Sequence, residues 1–157
     1  HALLYQNTSI VKAFHIKSWL EEGLAIYFGN PGHYYRGAEL KTLAIDQKCF
    51  FDLFNDHGES SNIPADIKQY VRYGLFRAFM DHLIKRYTLD TVLSFVHEYI
   101  QAPESEETLF KKFFGVAPSD ALECFRQQME SNTELLLSAY SPACGERHDL
   151  SASGLAR

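Results

Sequence analysis

The amino-acid sequence predicts a mostly α-helical protein, and three observations predict it. Apolar residues recur at a helical period through most of the 157 residues. No stretch sustains the two-residue alternation of a half-buried strand. Helix-terminus residues, such as Ser18 with Glu21 three positions on and the run Pro118-Ser119-Asp120, stand at the edges of the periodic segments.

Taken in order, a short helix is expected over about Ala2 to Gln6, resuming over Ser9 to Phe14. A second begins at Ser18, where Ser18-Trp-Leu-Glu21 reads as a capping box whose hydroxyl and carboxylate satisfy backbone amides reciprocally. Gly29-Asn-Pro-Gly32 ends it, because proline cannot continue a helix and glycine tolerates positive φ. A helix over Ala38 to Gln47, an aromatic stretch Cys49 to Phe54 and a polar loop Asn55 to Asn62 follow. The longest element runs from Ala65 to Tyr87, its apolar stripe made of Ile67, Tyr70, Val71, Gly74, Leu75, Ala78, Phe79 and Leu83. Helices over Leu89 to Ile100, Glu104 to Phe114 (closed by Gly115) and from Ser119 onward complete the pattern. Residues 1 to 140 form the helical body. Residues 141 to 157, poor in groups to bury, read as a disordered tail.

The composition narrows the function classes. Hydrophobic residues at 46% and charged residues at 22% are ordinary for one globular domain, and twelve Phe, nine Tyr and one Trp can supply a large aromatic core. A net charge of −5 without a basic run argues against nucleic acid as a partner. The apolar segments are interrupted well before the roughly 18 to 20 residues a bilayer span needs, so no transmembrane segment is expected. Cys49, Cys124 and Cys144 form no CxxC pair, which predicts free thiols and leaves the compartment open. The start, His-Ala-Leu-Leu-Tyr-Gln, lacks an initiator Met and a leader, and the expectation is a truncated chain.

The informative segment is Trp19-Leu-Glu-Glu-Gly-Leu-Ala-Ile-Tyr-Phe28, apolar nearly all round and so expected to be buried. Glu21 has a local use in the capping box. Glu22 has none, yet shares a helix stripe with Trp19, Ala25 and Ile26. A carboxylate in that position calls for a cation, either a metal or an arginine, or for backbone donors.

This segment resembles the signature Trp-Leu-x-Glu-Gly-Leu-Ala, followed by an aromatic pair, by which gluzincin zinc metallopeptidases of the peptidase MA clan carry their third zinc ligand. In that family a His-Glu-x-x-His helix precedes the motif. His1-Ala-Leu-Leu-Tyr-Gln resembles the continuation beyond the second histidine, and 21 positions separate His1 from Glu22. Tyr73 to Tyr87 is similar to the long helix that follows the ligand helix in these enzymes, with Thr88 where they often carry glycine. The resemblance covers about residues 1 to 135, and the Glu22 motif is its specific part.

The resemblance implies the helical C-terminal half of a zincin-like domain, beginning at the second zinc histidine, with the first histidine and the general-base glutamate upstream. It implies zinc held by His1 and Glu22, Tyr73 as the stabiliser of an oxyanion, a peptide or protein as substrate, and no activity for the chain alone. The competing alignment sets His1 to Tyr5 on the zinc motif itself, with Ala2 in place of the base and Tyr5 in place of a ligand. That alternative implies a catalytically dead helical module that binds peptide or protein.

The other candidates are weaker. His97-Glu98-Tyr-Ile-Gln101 has glutamine where a second zincin histidine is required. His15 and His33 lie near the ligand helix, His57 and His148 fall in polar segments, and His82 is expected to pair with a nearby acid. Tyr70, on the main stripe, is expected in the core. Gly29, Gly32 and Gly37 lack the lysine of a phosphate-binding loop.

Overall fold

The computed structural model describes residues 16–29, 37–46, 50–54, 57–58, 64–101 and 105–131. These are mostly helical. Helix α1 spans Ser18–Phe28, and α2, Gly37–Lys41, runs into a π turn over Thr42–Asp46. The long helix α3 spans Ala65–Tyr87, followed by α4 (Leu89–Gln101), α5 (Glu106–Phe114) and α6 (Pro118–Ser131). The exception is a minimal antiparallel ladder. Strands β1 (Phe51–Asp52) and β2 (His57–Gly58) pair Phe51 with Gly58 and Asp52 with His57, within the segments read as an aromatic stretch and a polar loop.

Helix α3 is the central element, with α1, α2, α4 and α6 packed on it and α5 bridging α4 and α6. Trp19 is completely buried at the centre of an aromatic cluster. Its ring meets Phe54, Phe79 and Phe110 edge-on with centroids 5.4, 5.5 and 5.9 Å away, and stacks with Phe95 at 6.3 Å. Such aromatic pairs contribute about 0.5 to 1.5 kcal/mol each beyond the area they bury. One residue of α1 therefore joins the β1 turn, α3, α4 and α5. No helix among the described residues is long and apolar enough to cross a membrane.

The ends of the elements show which local signals operate. Ser105 caps α5, its hydroxyl accepting from the Thr108 amide at 3.2 Å. Gly115 closes that helix in the left-handed conformation at φ 73°. The expected start at Glu104 thus moves to Glu106, behind its cap.

The capping box at Ser18 does not form. Lys17 is the N-cap, with extended dihedrals and no side-chain cap, and Ser18 is already helical. The Lys17 carbonyl accepts from the amides of Leu20 and Glu21, which places the serine one position too late to cap. Gly29 ends α1 with φ −87°, so left-handed backbone is not what requires glycine there. A Cβ at Gly29 would lie 2.5 Å from the Ala25 carbonyl oxygen, which accepts the Gly29 amide at 2.8 Å.

One reading of α3 also changes. Tyr70 is 42% exposed and lies outside the core, because the buried face of α3 begins at Val71. Thr88, the residue after α3, sits at φ 78° and ψ 155°. The readings over Ala2 to Phe14 and for the tail 141–157 lie outside the described residues, as does the start at His1.

Candidate functional site

Glu22 is placed by its neighbour. Gly23 faces α3 so closely that a Cβ there would stand 3.1 Å from the Phe76 carbonyl oxygen and 3.4 Å from the Met80 methyl. The absent side chain lets the two helix backbones approach, while Trp19, Leu20 and Leu24 fill the interface on either side. Glu22 then falls on the rim of the α1–α3 contact and is half-buried, as are Ala25 and Ile26 on the same stripe. The helix is therefore not buried all round as the sequence suggests, and Phe28 at its end is 57% exposed.

Burial, and then the adjacent Glu21 carboxylate, raise the Glu22 pKa above its ordinary value. Arg72 on α3 acts in the opposite direction. Arg72 also lies over the Phe76 ring, 5.3 Å from its centroid. Glu22 thus occupies a spot where negative charge is disfavoured by desolvation and by a like charge, and where positive charge is attracted.

Tyr73 follows Arg72 on the same stretch of α3. It is half-buried, its ring 6.4 Å from that of Phe76, and Gln69 Nε2 donates to its hydroxyl at 3.3 Å. Of the two tyrosines considered, the structure keeps Tyr73 packed beside the α1–α3 contact and turns Tyr70 to the surface.

The donor set for a metal is not complete within the described residues. No group of three His, Cys, Asp or Glu side chains that could hold a metal occurs among them. Glu22 fits one ligand position by chemistry, as a carboxylate whose charge a cation would relieve. His1 lies outside the described residues, as do His15, His33 and His148, and of His57 only the backbone is described.

The remaining candidates take structural roles. His97 is exposed and Glu98 makes an ion pair with Lys112, consistent with a surface dipeptide. His82 is buried, and its partner is an amide where an acid was expected: Nδ1 lies 2.6 Å from Gln128 Oε1. Rings of Phe79 and Phe125 flank the imidazole at 6.1 and 5.6 Å. Desolvation lowers the His82 pKa to about 4. Cys124 is disulfide-bonded, which corrects the expectation of free thiols at that position, and Arg86 Nη1 approaches its sulfur at 3.9 Å.

Arg77 is a residue of this region that sequence reasoning missed. Its Nη1 donates to the carbonyl oxygens of Tyr27 at 2.6 Å and Ile26 at 3.3 Å, and the guanidinium lies 4.2 Å from the centroid of the Tyr27 ring. The available signal was the absence of a basic residue in the last turn of α1, a helix end that needs a cation from elsewhere.

Comparison with family models, with curated proteins and with solved structures returned no match to this chain.

Proposed function

We propose that the chain is the helical half of a gluzincin-like zinc metallopeptidase, with Glu22 as the third zinc ligand and His1 as the second. The observation that carries this reading is Glu22 itself. It lies in a Trp-Leu-x-Glu-Gly-Leu-Ala segment, half-buried on the rim of the α1–α3 contact, its charge disfavoured by desolvation. On this reading peptide-bond hydrolysis belongs to a protein in which His-Glu-x-x precedes His1.

Bound zinc would polarise the scissile carbonyl and lower the pKa of a bound water. This chain's own residues do the rest of what can be assigned to it. Glu22 contributes negative charge and an oxygen donor. Gly23 and Trp19 hold its helix against α3. Tyr73 offers a hydroxyl donor to an oxyanion from a half-buried ring.

Arg72 favours the second reading, a catalytically inactive helical module that binds peptide or protein. Its charge already moderates the cost of Glu22 without a metal. Zinc content separates the two. In the full-length protein, Glu22→Gln is expected to lose stoichiometric zinc after dialysis against a weak chelator, while Glu21→Gln retains it. Equal zinc in the two variants overturns the assignment of Glu22. Absence of stoichiometric zinc from the parent protein, together with a sequence lacking His-Glu-x-x before His1, overturns the peptidase reading and favours the binding module.

A further inference from the structure

Helix α1 does not cap itself. Its N-cap residue, Lys17, makes no side-chain cap, and its last turn contains no basic residue. A helix end leaves carbonyl oxygens without intrahelical partners and carries partial negative charge. In α1 the Ala25 carbonyl accepts the Gly29 amide, and those of Ile26 and Tyr27 accept Arg77 Nη1 from α3, some fifty positions away in sequence.

The grip is two-sided. The same guanidinium that holds the two carbonyls covers the Tyr27 ring at 4.2 Å. A point charge would attract the helix end without orienting it. A planar guanidinium held both by carbonyl oxygens and by a ring face resists rotation of α1 about its axis. Gly23, pressed against the Phe76 carbonyl, fixes the other coordinate, the distance between the helices.

Rotation matters for Glu22. It lies one turn before Ile26 on the same stripe, so the angle that Arg77 sets at Ile26 and Tyr27 also sets where the Glu22 side chain leaves the helix. We infer that Arg77 is a positioning residue for Glu22, acting through the C-terminus of α1. The inference rests on Glu22 as a zinc ligand, as proposed above. A ligand turned away from its metal by a fraction of a turn loses affinity even when the fold is intact, and groups that orient metal ligands are typically worth about 10- to 100-fold in affinity.

The test measures zinc affinity of the full-length protein by competition with a chromogenic chelator, beside thermal unfolding and the near-ultraviolet dichroism of buried Trp19. Arg77→Met keeps the aliphatic stem and removes the donors, and is expected to bind Zn²⁺ about tenfold more weakly with the Trp19 signal unchanged. Arg77→Lys keeps one donor and is expected to recover part of that loss. Parent-like affinity in Arg77→Met, with zinc lost in Glu22→Gln, removes the positioning role and leaves the ligand in place. Parent-like affinity in Glu22→Gln overturns the ligand assignment and the inference with it. Should Arg77→Met fail to fold, Arg77→Lys decides: an affinity equal to the parent's overturns the inference, and a loss supports it.

Discussion

Trp19 Nε1 donates to Glu106 Oε1 at 3.0 Å, joining α1 to the first turn of α5 across 87 positions of sequence. The indole N–H, taken out of water at the centre of the aromatic cluster, needs an acceptor, and the carboxylate supplies it without entering the core. Glu106 in turn raises the pKa of Tyr99, an effect secondary to that tyrosine's burial.

Trp19→Phe is expected to destabilise the protein by about 2 to 4 kcal/mol, from the volume removed at a fully buried position and from the lost charge-assisted hydrogen bond. Glu106→Gln keeps an acceptor at the same place and is expected to cost about 1 kcal/mol or less. Urea unfolding of the two variants measures both. Equal losses would show that the carboxylate charge, and not the packed ring, dominates the site.

Thr88 occupies backbone that favours glycine, at φ 78° and ψ 155°. The conformation is imposed because the chain must leave α3 and enter α4 with a single residue between Tyr87 and Leu89. The Thr88 hydroxyl accepts the Thr91 amide at 3.4 Å, a long contact that offsets only part of the cost. Thr88→Gly is expected to raise stability by about 1 kcal/mol, since the relieved strain exceeds the few tenths lost when glycine replaces threonine as a cap. A lower melting temperature in this variant would contradict the account.

The buried His82 makes stability depend on pH. In the unfolded chain an imidazole protonates near pH 6.5, whereas desolvation lowers the folded value to about 4. Between those values the unfolded chain takes up a proton that the folded protein refuses. The His82 contribution therefore falls as pH drops from about 6.5 to about 4 and levels below that, by about 3 kcal/mol in all. Above pH 6.5 both states are neutral and the contribution is flat. Urea midpoints at pH 7.5, 5.5 and 4.5 check this, with His82→Gln expected to show a shallower decline over the same window.

Tyr73 is tested in catalysis. On the proposed peptidase reading, in which its hydroxyl stabilises an oxyanion, Tyr73→Phe in the full-length protein is expected to lower kcat by about one to three decades with KM little changed. The ring packing on Phe76 survives the substitution. Tyr70→Phe is the control because Tyr70 is on the surface, and it is expected to leave both stability and kcat near the parent's. Normal kcat in the Tyr73 variant removes it from the mechanism.

The elements that were legible in the sequence are those decided over one or two turns. The bounds of α3, Ala65 to Tyr87, follow from its sustained helical period, and the end of α5 follows from Gly115 in a left-handed cap. The cost of placing the Glu22 carboxylate in an apolar helix was legible too, and desolvation raises its pKa in the folded chain. The start of α1 was not, because Ser18 and Lys17 differ as caps by a single backbone dihedral state that the packing of Trp19 can override.

What the tertiary structure alone decided is which polar group meets which. Sequence spacing at 3.6 residues per turn states which side chains share a face, but Tyr70 and Val71 are adjacent, and which of them enters the core depends on where α1 and α4 lie on α3. Trp19 with Glu106, His82 with Gln128 and Arg77 with the end of α1 are pairs 87, 46 and about 50 positions apart. A periodic pattern carries no information about such distances. Each pair is fixed by the requirement that a polar group taken from water find a partner, and the partner available is whichever one the packed helices bring within about 3 Å.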